Sequence, residues 1–213
     1  MDSLFKKIIA IIVSIFIFSV AYYGNFLPMR MSQTFIATLR SLQSVRSLDE
    51  FENTVSVALD IPSPIGKEEL VRNVASVVMN LIQQNDKPEV IAEAIRFLDS
   101  YYDPIIARGT GMSFEQNLYV LGTINQLAFV RTNDTKYFLK AKKYYEQGLA
   151  LGPKRPQFLY GMFDIYRTEG NVQKAVEIHD RIIAQWPDDQ RIKDGLAKFL
   201  EFVATQQQPK PAN

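Results

Sequence analysis

The chain has 213 residues with 24 basic and 23 acidic side chains, so its formal net charge at pH 7 is +1. A charge so close to zero gives no electrostatic support for nucleic acid as a partner. The absence of cysteine excludes disulfides, thiolate catalysis and cysteine-ligated metals. Beyond an apolar N-terminal segment, the length suffices for one domain of ordinary size.

Residues 8–27 form an uncharged apolar run with the sequence IIAIIVSIFIFSVAYYGNFL. At the helical rise, such a run matches the roughly 30 Å hydrocarbon thickness of a bilayer. We therefore expect residues 1–28 to be a transmembrane anchor that contacts lipid through residues 8–27. Because Lys6 and Lys7 precede the run, the positive-inside rule predicts a cytoplasmic N-terminus. The alternative is a cleaved signal peptide, since Ser19-Val20-Ala21 has the small-x-small cleavage pattern. Both interpretations export the rest of the chain.

Residues 29–112 are predicted to be a helical region with a degenerate, repeat-like character. A hairpin near its start is indicated by two apolar faces at helical spacing: Phe35, Leu39 and Leu42, then Phe51, Val55 and Ala58. Two more amphipathic helices are predicted over residues 67–84 and 88–102. A connection follows over residues 103–111.

Residues 113–205 carry the clearest pattern, an alanine and a proline twelve residues apart that recur after 34 residues. The two pairs are Ala141 with Pro153 and Ala175 with Pro187. In the last unit, one face of a first helix is formed by Leu159, Met162, Phe163 and Tyr166. A turn over residues 168–171 leads to a second helix with Ala175, His179, Ile182 and Ile183. A period of 34 residues with two helices per unit indicates a helical repeat.

The preceding unit is predicted to begin near Gly122. Its first helix would use Asn125, Ala128, Phe129 and Thr132, and its second Ala141, Tyr145, Gly148 and Leu149. Ser113 and Gln116 have capping-box spacing before it. A capping helix is expected over residues 188–204, with inward positions Ile192, Leu196, Phe199 and Leu200. The polar end, residues 206–213, is expected to be disordered.

The pattern LxxMFxxYxxxEGxxxxA, with proline twelve residues on, resembles the tetratricopeptide repeat family. The resemblance implies an all-α fold in which an N-terminal transmembrane helix precedes a short right-handed α-solenoid of helical hairpins. In that family the first helix of each unit lines a concave face that binds a protein or peptide. The matching positions here are Thr123, Gln126, Val130, Gln157, Tyr160, Asp164 and Arg167. The alternative is that these are simply solvated helix positions.

A second resemblance involves the order of segments along the chain. The apolar span is followed by NFLPMRMSQTFIATLRSL, then ALDIPSPIGKEELVRNVA, then units that end in proline. This order resembles the C-terminal portion of bacterial O-antigen ligase or polymerase-type membrane proteins, which handle lipid-linked sugars in cell-envelope polysaccharide assembly. The resemblance implies an accessory module or a fragment of such a protein.

No catalytic, cofactor or metal site is predicted. The one histidine, His179, is expected in the helical core, and no nucleophile is marked for it. Residues 108–111 (RGTG) lack the spacing of a phosphate loop. Asp188-Asp189 is expected to cap the last helix. Glu68-Glu69 is expected in the first turn of a helix, where carboxylates interact favourably with the helix dipole. We therefore expect a non-catalytic interaction scaffold that binds an envelope protein or peptide at a bacterial cytoplasmic membrane. The sequence gives no oligomeric state.

Overall fold

The computed structural model describes residues 3–206, and every regular element in that range is helical. The chain divides into two compact units, residues 1–110 and 111–213. The helices of the first unit are α1 (Ser3–Ala21), α2 (Leu27–Ser41), α3 (Leu48–Leu59), α4 (Lys67–Gln84) and α5 (Pro88–Arg108). Those of the second are α6 (Phe114–Thr132), α7 (Thr135–Leu151), α8 (Pro156–Thr168), α9 (Val172–Ile183) and α10 (Gln190–Gln206). The all-α prediction is confirmed.

Helices α1 and α2 are joined by a π-helical turn, Tyr22–Phe26, into one continuous helix over Leu4–Ser41. Its most apolar window has a mean hydropathy of 2.3, and none of that window is buried against other parts of the protein. Exposing this much apolar side-chain surface to water is energetically unfavourable. The helix is therefore long and apolar enough to cross a membrane, as the sequence predicts.

In the first unit, α2 packs along α3. The predicted face of α3 is confirmed, since Phe51, Val55 and Ala58 are all buried. The predicted face of α2 is wrong in part. Leu39 is exposed and Thr38 takes the buried position, because α2 continues from the apolar helix in the register that Leu27, Met31 and Phe35 set.

Helices α4 and α5 pack against each other and begin where the sequence predicts. On α4, Val77 and Leu81 are only half-buried, while Val71, Ala75 and Ile82 are fully covered.

The predicted connection over residues 103–111 is wrong, because α5 continues past Pro104 to Arg108. Burial of Ile105 favours this extra turn over the helix break that proline usually causes. Gly109, with φ of 69°, then ends the helix.

The second unit contains two helical hairpins, α6–α7 and α8–α9, and α10 packs on α9. The predicted turn of the second hairpin is confirmed. Gly170 has a φ of 69°, and the Asn171 side chain accepts a hydrogen bond from the Lys174 amide at the start of α9. The first hairpin turns at Asn133, which has a φ of 55°, and Asp134 caps α7 by accepting from the Lys136 amide.

Four details of this unit differ from prediction. Helix α6 starts at Phe114, so Gly122 lies within it and buried Leu118 and Leu121 extend its apolar face. Ser113 precedes α6 without capping it through its side chain. The His179 side chain lies at the edge of the core, 16% exposed and in contact with Asp180, and its neighbour Ile178 is the buried residue. Leu200 is exposed, since the inward face of α10 runs through Ile192 and Phe199. Of the predicted tail, Gln206 ends α10 and residues 207–213 lie outside the described residues.

Three glycines let aromatic rings lie against helix backbones in this unit. A β-carbon built on Gly148 would lie 2.0 Å from Cε1 of Phe158. One built on Gly122 would lie 2.4 Å from Cε1 of Tyr145, and one on Gly161 would lie 2.8 Å from the same ring. The Tyr145 ring therefore sits between the backbones of α6 and α8.

Candidate functional site

A cleft of ≈ 390 Å³ opens beside α6 and α8, the first helices of the two hairpins. Its lining comprises Tyr119, Thr123 and Gln126 of α6, Tyr145 of α7, Pro156, Gln157, Tyr160, Gly161 and Asp164 of α8, and Arg191 of α10. On both first helices these side chains recur at intervals of three or four residues, which places them on one face.

The structure brings five of the seven predicted site residues into this cleft: Thr123, Gln126, Gln157, Tyr160 and Asp164. The other two lie outside its lining. Val130 is 70% exposed, one turn of α6 beyond Gln126. The guanidinium of Arg167 lies over the Phe163 ring, 5.3 Å from the ring centre, and its Nη1 is 3.4 Å from Oδ1 of Asp164. Arg167 therefore acts on the cleft through Asp164.

The floor of the cleft is the buried side chain of Tyr145. Its hydroxyl donates to Oε1 of Gln126 at 2.7 Å and lies 3.4 Å from Oγ1 of Thr123. The Thr123 hydroxyl in turn donates to the carbonyl oxygen of Tyr119 at 2.9 Å. Burial raises the pKa of Tyr145, so its hydroxyl stays protonated and remains a donor. The hydrogen bond from the Tyr145 hydroxyl thereby fixes the orientation of the Gln126 amide.

Asp164 carries the negative charge of the cleft. Half of its side chain is exposed to solvent, yet enough protein surrounds the carboxyl for desolvation to raise its pKa. Arg167, a hydrogen bond from Gln126 and then Arg191 oppose that rise. Because a carboxylate only accepts, the Gln126 amide nitrogen is the donor. Gln126 thus lies between the Tyr145 hydroxyl, from which it accepts, and the carboxyl of Asp164, whose pKa it lowers.

The wall beside α10 is built around Tyr160. The Tyr160 ring stacks on Trp186, with the ring centroids 6.3 Å apart. The Arg191 guanidinium lies 4.8 Å from the centre of the same Tyr160 ring. The Tyr160 hydroxyl donates to Asp189. Asp189 also accepts from the Ile192 amide at 3.1 Å, which caps α10 as the sequence predicts. The Tyr160 hydrogen bond lowers the pKa of Asp189, so the capping carboxylate remains ionised.

Sequence reasoning missed five of the ten lining residues: Tyr119, Tyr145, Pro156, Gly161 and Arg191. Tyr119 was missed because the first repeat unit was placed too late, at Gly122. Tyr145 was assigned only to the core, although Gly122 and Gly161 bring its ring to the cleft floor. Arg191 comes from the helix expected to act only as a cap, and its position after the capping Asp189 was the available signal. It supplies the positive charge that Arg167 was expected to bring.

The arrangement favours recognition by hydrogen bonds. The cleft offers a carboxylate, a guanidinium, two primary amides and four hydroxyls around an aromatic floor. Within residues 3–206, no group of three His, Asp or Glu side chains could hold a metal ion. Side chains of both signs beside amides can pair with the charged and peptide groups of a bound chain.

Comparisons with known proteins add no assignment. No protein-family model, no curated protein and no solved structure matches the chain. The resemblances to tetratricopeptide repeats and to O-antigen ligases therefore stay predictions.

Proposed function

We propose that the chain is a membrane-anchored, non-catalytic scaffold that binds a segment of a partner protein in the cleft of its second unit. The observation that carries the proposal is the shared face of α6 and α8, on which polar side chains surround an aromatic floor. Tetratricopeptide-type solenoids bind their ligands on this face of the first helices, and the hairpins α6–α7 and α8–α9 have the matching order.

A peptide segment fits the size and chemistry of the cleft. Its volume of ≈ 390 Å³ lies in the usual range of ligand sites, about 300–1,000 Å³. Tyrosine and arginine, the types enriched at binding hot spots, stand together as Tyr160 and Arg191. Because Tyr145 and Gln126 are already hydrogen-bonded, little side-chain ordering remains to oppose binding.

The anchor sets where this binding takes place. The helix over Leu4–Ser41 is long and apolar enough to cross a bilayer, and Lys6 and Lys7 precede its apolar core. By the positive-inside rule, we propose a single-pass protein of a bacterial cytoplasmic membrane with its N-terminus inside. The cleft then faces the extracytoplasmic side, and its partner is an envelope protein or peptide.

The second candidate is an accessory module, or a fragment, of an O-antigen ligase or polymerase-type protein. The order of the apolar span, the α2–α4 region and the proline-ended units supports it. The two candidates separate on what purifies with the chain in mild detergent. A partner protein without lipid-linked saccharide favours the scaffold, and lipid-linked saccharide favours the accessory module.

A site-specific crosslink tests the scaffold proposal. Gln157 is exposed at the cleft, and a photoreactive phenylalanine there should form a discrete crosslinked band in native membranes. The same residue at Leu139, which is 60% exposed on α7 outside the cleft lining, is the control. Asp164→Asn and Arg191→Gln should each weaken the band from Gln157. Equal bands from Gln157 and Leu139, unaffected by those changes, would refute cleft binding.

A further inference from the structure

The loop between α3 and α4, residues 61–66, has an exposed apolar side chain beside the membrane end of α2. Ile65 is 58% exposed. The next residue, Gly66, lies so close to α2 that an added β-carbon would be 3.0 Å from Cε of Met31. Met31 itself is 1% exposed. The position of the loop along α2 is therefore fixed at the level of Met31.

That level coincides with the headgroup region if the apolar helix spans a bilayer. Met31 lies four residues beyond Leu27, where the predicted span ends, which corresponds to about 6 Å along the helix axis. The headgroup layer of one leaflet is roughly 5–8 Å thick, from the difference between total and hydrocarbon thickness. Met29, which is 52% exposed, marks the same zone on α2.

The backbone of the loop is also suited to a region poor in water. Pro62 and Pro64 have no N–H group. The Ile61 N–H donates to the Ala58 carbonyl at 3.4 Å, and the Ser63 hydroxyl donates to the Ile65 carbonyl at 2.7 Å. The Gly66 carbonyl accepts from the Leu70 N–H at 3.1 Å. Three backbone polar groups of the loop are therefore satisfied locally and two further N–H groups are absent, which lowers the cost of leaving water.

Two of the charged side chains next to the loop have partners within the protein. The Lys67 ammonium lies 5.8 Å from the centre of the Tyr101 ring, and Glu68 pairs with Arg108 of α5. Glu69 is exposed and acidic, so attraction to anionic lipid does not distinguish this surface. Its distinguishing features are an exposed isoleucine and the continuity with the apolar helix.

We propose that residues 61–66 are a second membrane contact, in which Ile65 enters the interfacial layer of the leaflet that α2 leaves. The proposal rests on the anchoring of the apolar helix in a bilayer. The contact would hold the first unit against the membrane surface, so that the anchor and this loop together fix its orientation.

The absence of native cysteine allows a depth measurement on the full chain. Ile65→Cys is labelled with an environment-sensitive dye in phosphatidylcholine vesicles, with and without lipids that carry a headgroup nitroxide. Ser44→Cys is the surface control, because it is exposed and follows the far end of α2. Val13→Cys, within the apolar helix, reports anchoring and is read with acyl-chain nitroxides.

We expect a blue-shifted dye at Ile65 that headgroup nitroxides quench and that aqueous iodide reaches poorly. The dye at Ser44 should show no blue shift, little quenching by headgroup nitroxides and ready access to aqueous iodide. If Val13 is quenched from the acyl chains while Ile65 behaves like Ser44, the loop contact is wrong and the anchor stands. If Val13 is not quenched either, the anchor itself fails, and the loop proposal falls with it.

Discussion

Substitution of Gly148 by alanine tests the close packing of Phe158 against α7 under the cleft. The new methyl group would lie 2.0 Å from Cε1 and 2.2 Å from Cζ of Phe158. Phe158 is 1% exposed, and Tyr119 lies beside its ring at 6.3 Å between centroids. The ring therefore has little free space into which it can move, and the substitution forces a shift of α8 or α7.

The expected loss of stability follows from two opposing effects. Overpacking a core costs about 1–3 kcal/mol, and a contact this short places Gly148→Ala near the upper end. Alanine has a higher helix propensity than glycine, which offsets about 1 kcal/mol of this loss. The net loss is about 2 kcal/mol, which lowers Tm by roughly 4–8 °C for a chain of this length.

The assay is thermal and urea unfolding of the full chain in detergent, followed by far-ultraviolet circular dichroism. Gly195→Ala on α10 is the matched control, because its β-carbon would only reach ordinary contact with Phe163 at 3.4 Å. It should be neutral or stabilise by up to about 1 kcal/mol. In the double variant Gly148→Ala/Phe158→Leu, the smaller side chain should reduce the penalty of the alanine. Gly148→Ala at or above wild-type stability would refute the packing.

The hydrogen bonds and charges of the cleft give two further predictions. Tyr145→Phe removes a hydroxyl that donates to Gln126 at 2.7 Å and should cost about 0.5–1.5 kcal/mol in urea unfolding. Tyr102→Phe should cost nothing measurable, because the buried Tyr102 hydroxyl has no partner among the described residues; equal losses in both variants would contradict the account. Desolvation raises the pKa of Asp164 above 3.8, so its contribution to folding is present below that value and lost as pH rises through the raised pKa. Asp164→Asn should flatten the stability profile in that acid window and leave the protein at least as stable at pH 7; an unchanged profile would exclude this cause.

The sequence predicted the elements whose pattern depends on local periodicity. The apolar faces of α3 and α8 and the turn at Gly170 were found in this way, because spacing and left-handed glycine are local properties. Pro104 was misleading because burial of Ile105 prevails over a local preference for ending the helix. The buried face of α2 was misassigned because α2 continues the apolar helix, and that continuity decides which side of α2 faces α3.

The candidate site was predicted in part for the same reason. Gln126, Tyr160 and Asp164 share helix faces, so spacing alone brings them near one another. The contribution of Arg191 depends on where α10 begins, which the Asp189 cap and its hydrogen bond from Tyr160 determine. The role of Gly148 depends on a contact between two helices, and no pattern along a single helix predicts it.

The proposed topology places the helical module across a membrane from the N-terminus. Ala204→Cys places a single thiol at an exposed position near the end of α10. Intact cells or spheroplasts are treated with a membrane-impermeant maleimide and then fractionated. We expect labelling before lysis, in the membrane fraction. Labelling in the soluble fraction would mean a cleaved leader, and protection until the membrane is broken would contradict an extracytoplasmic module.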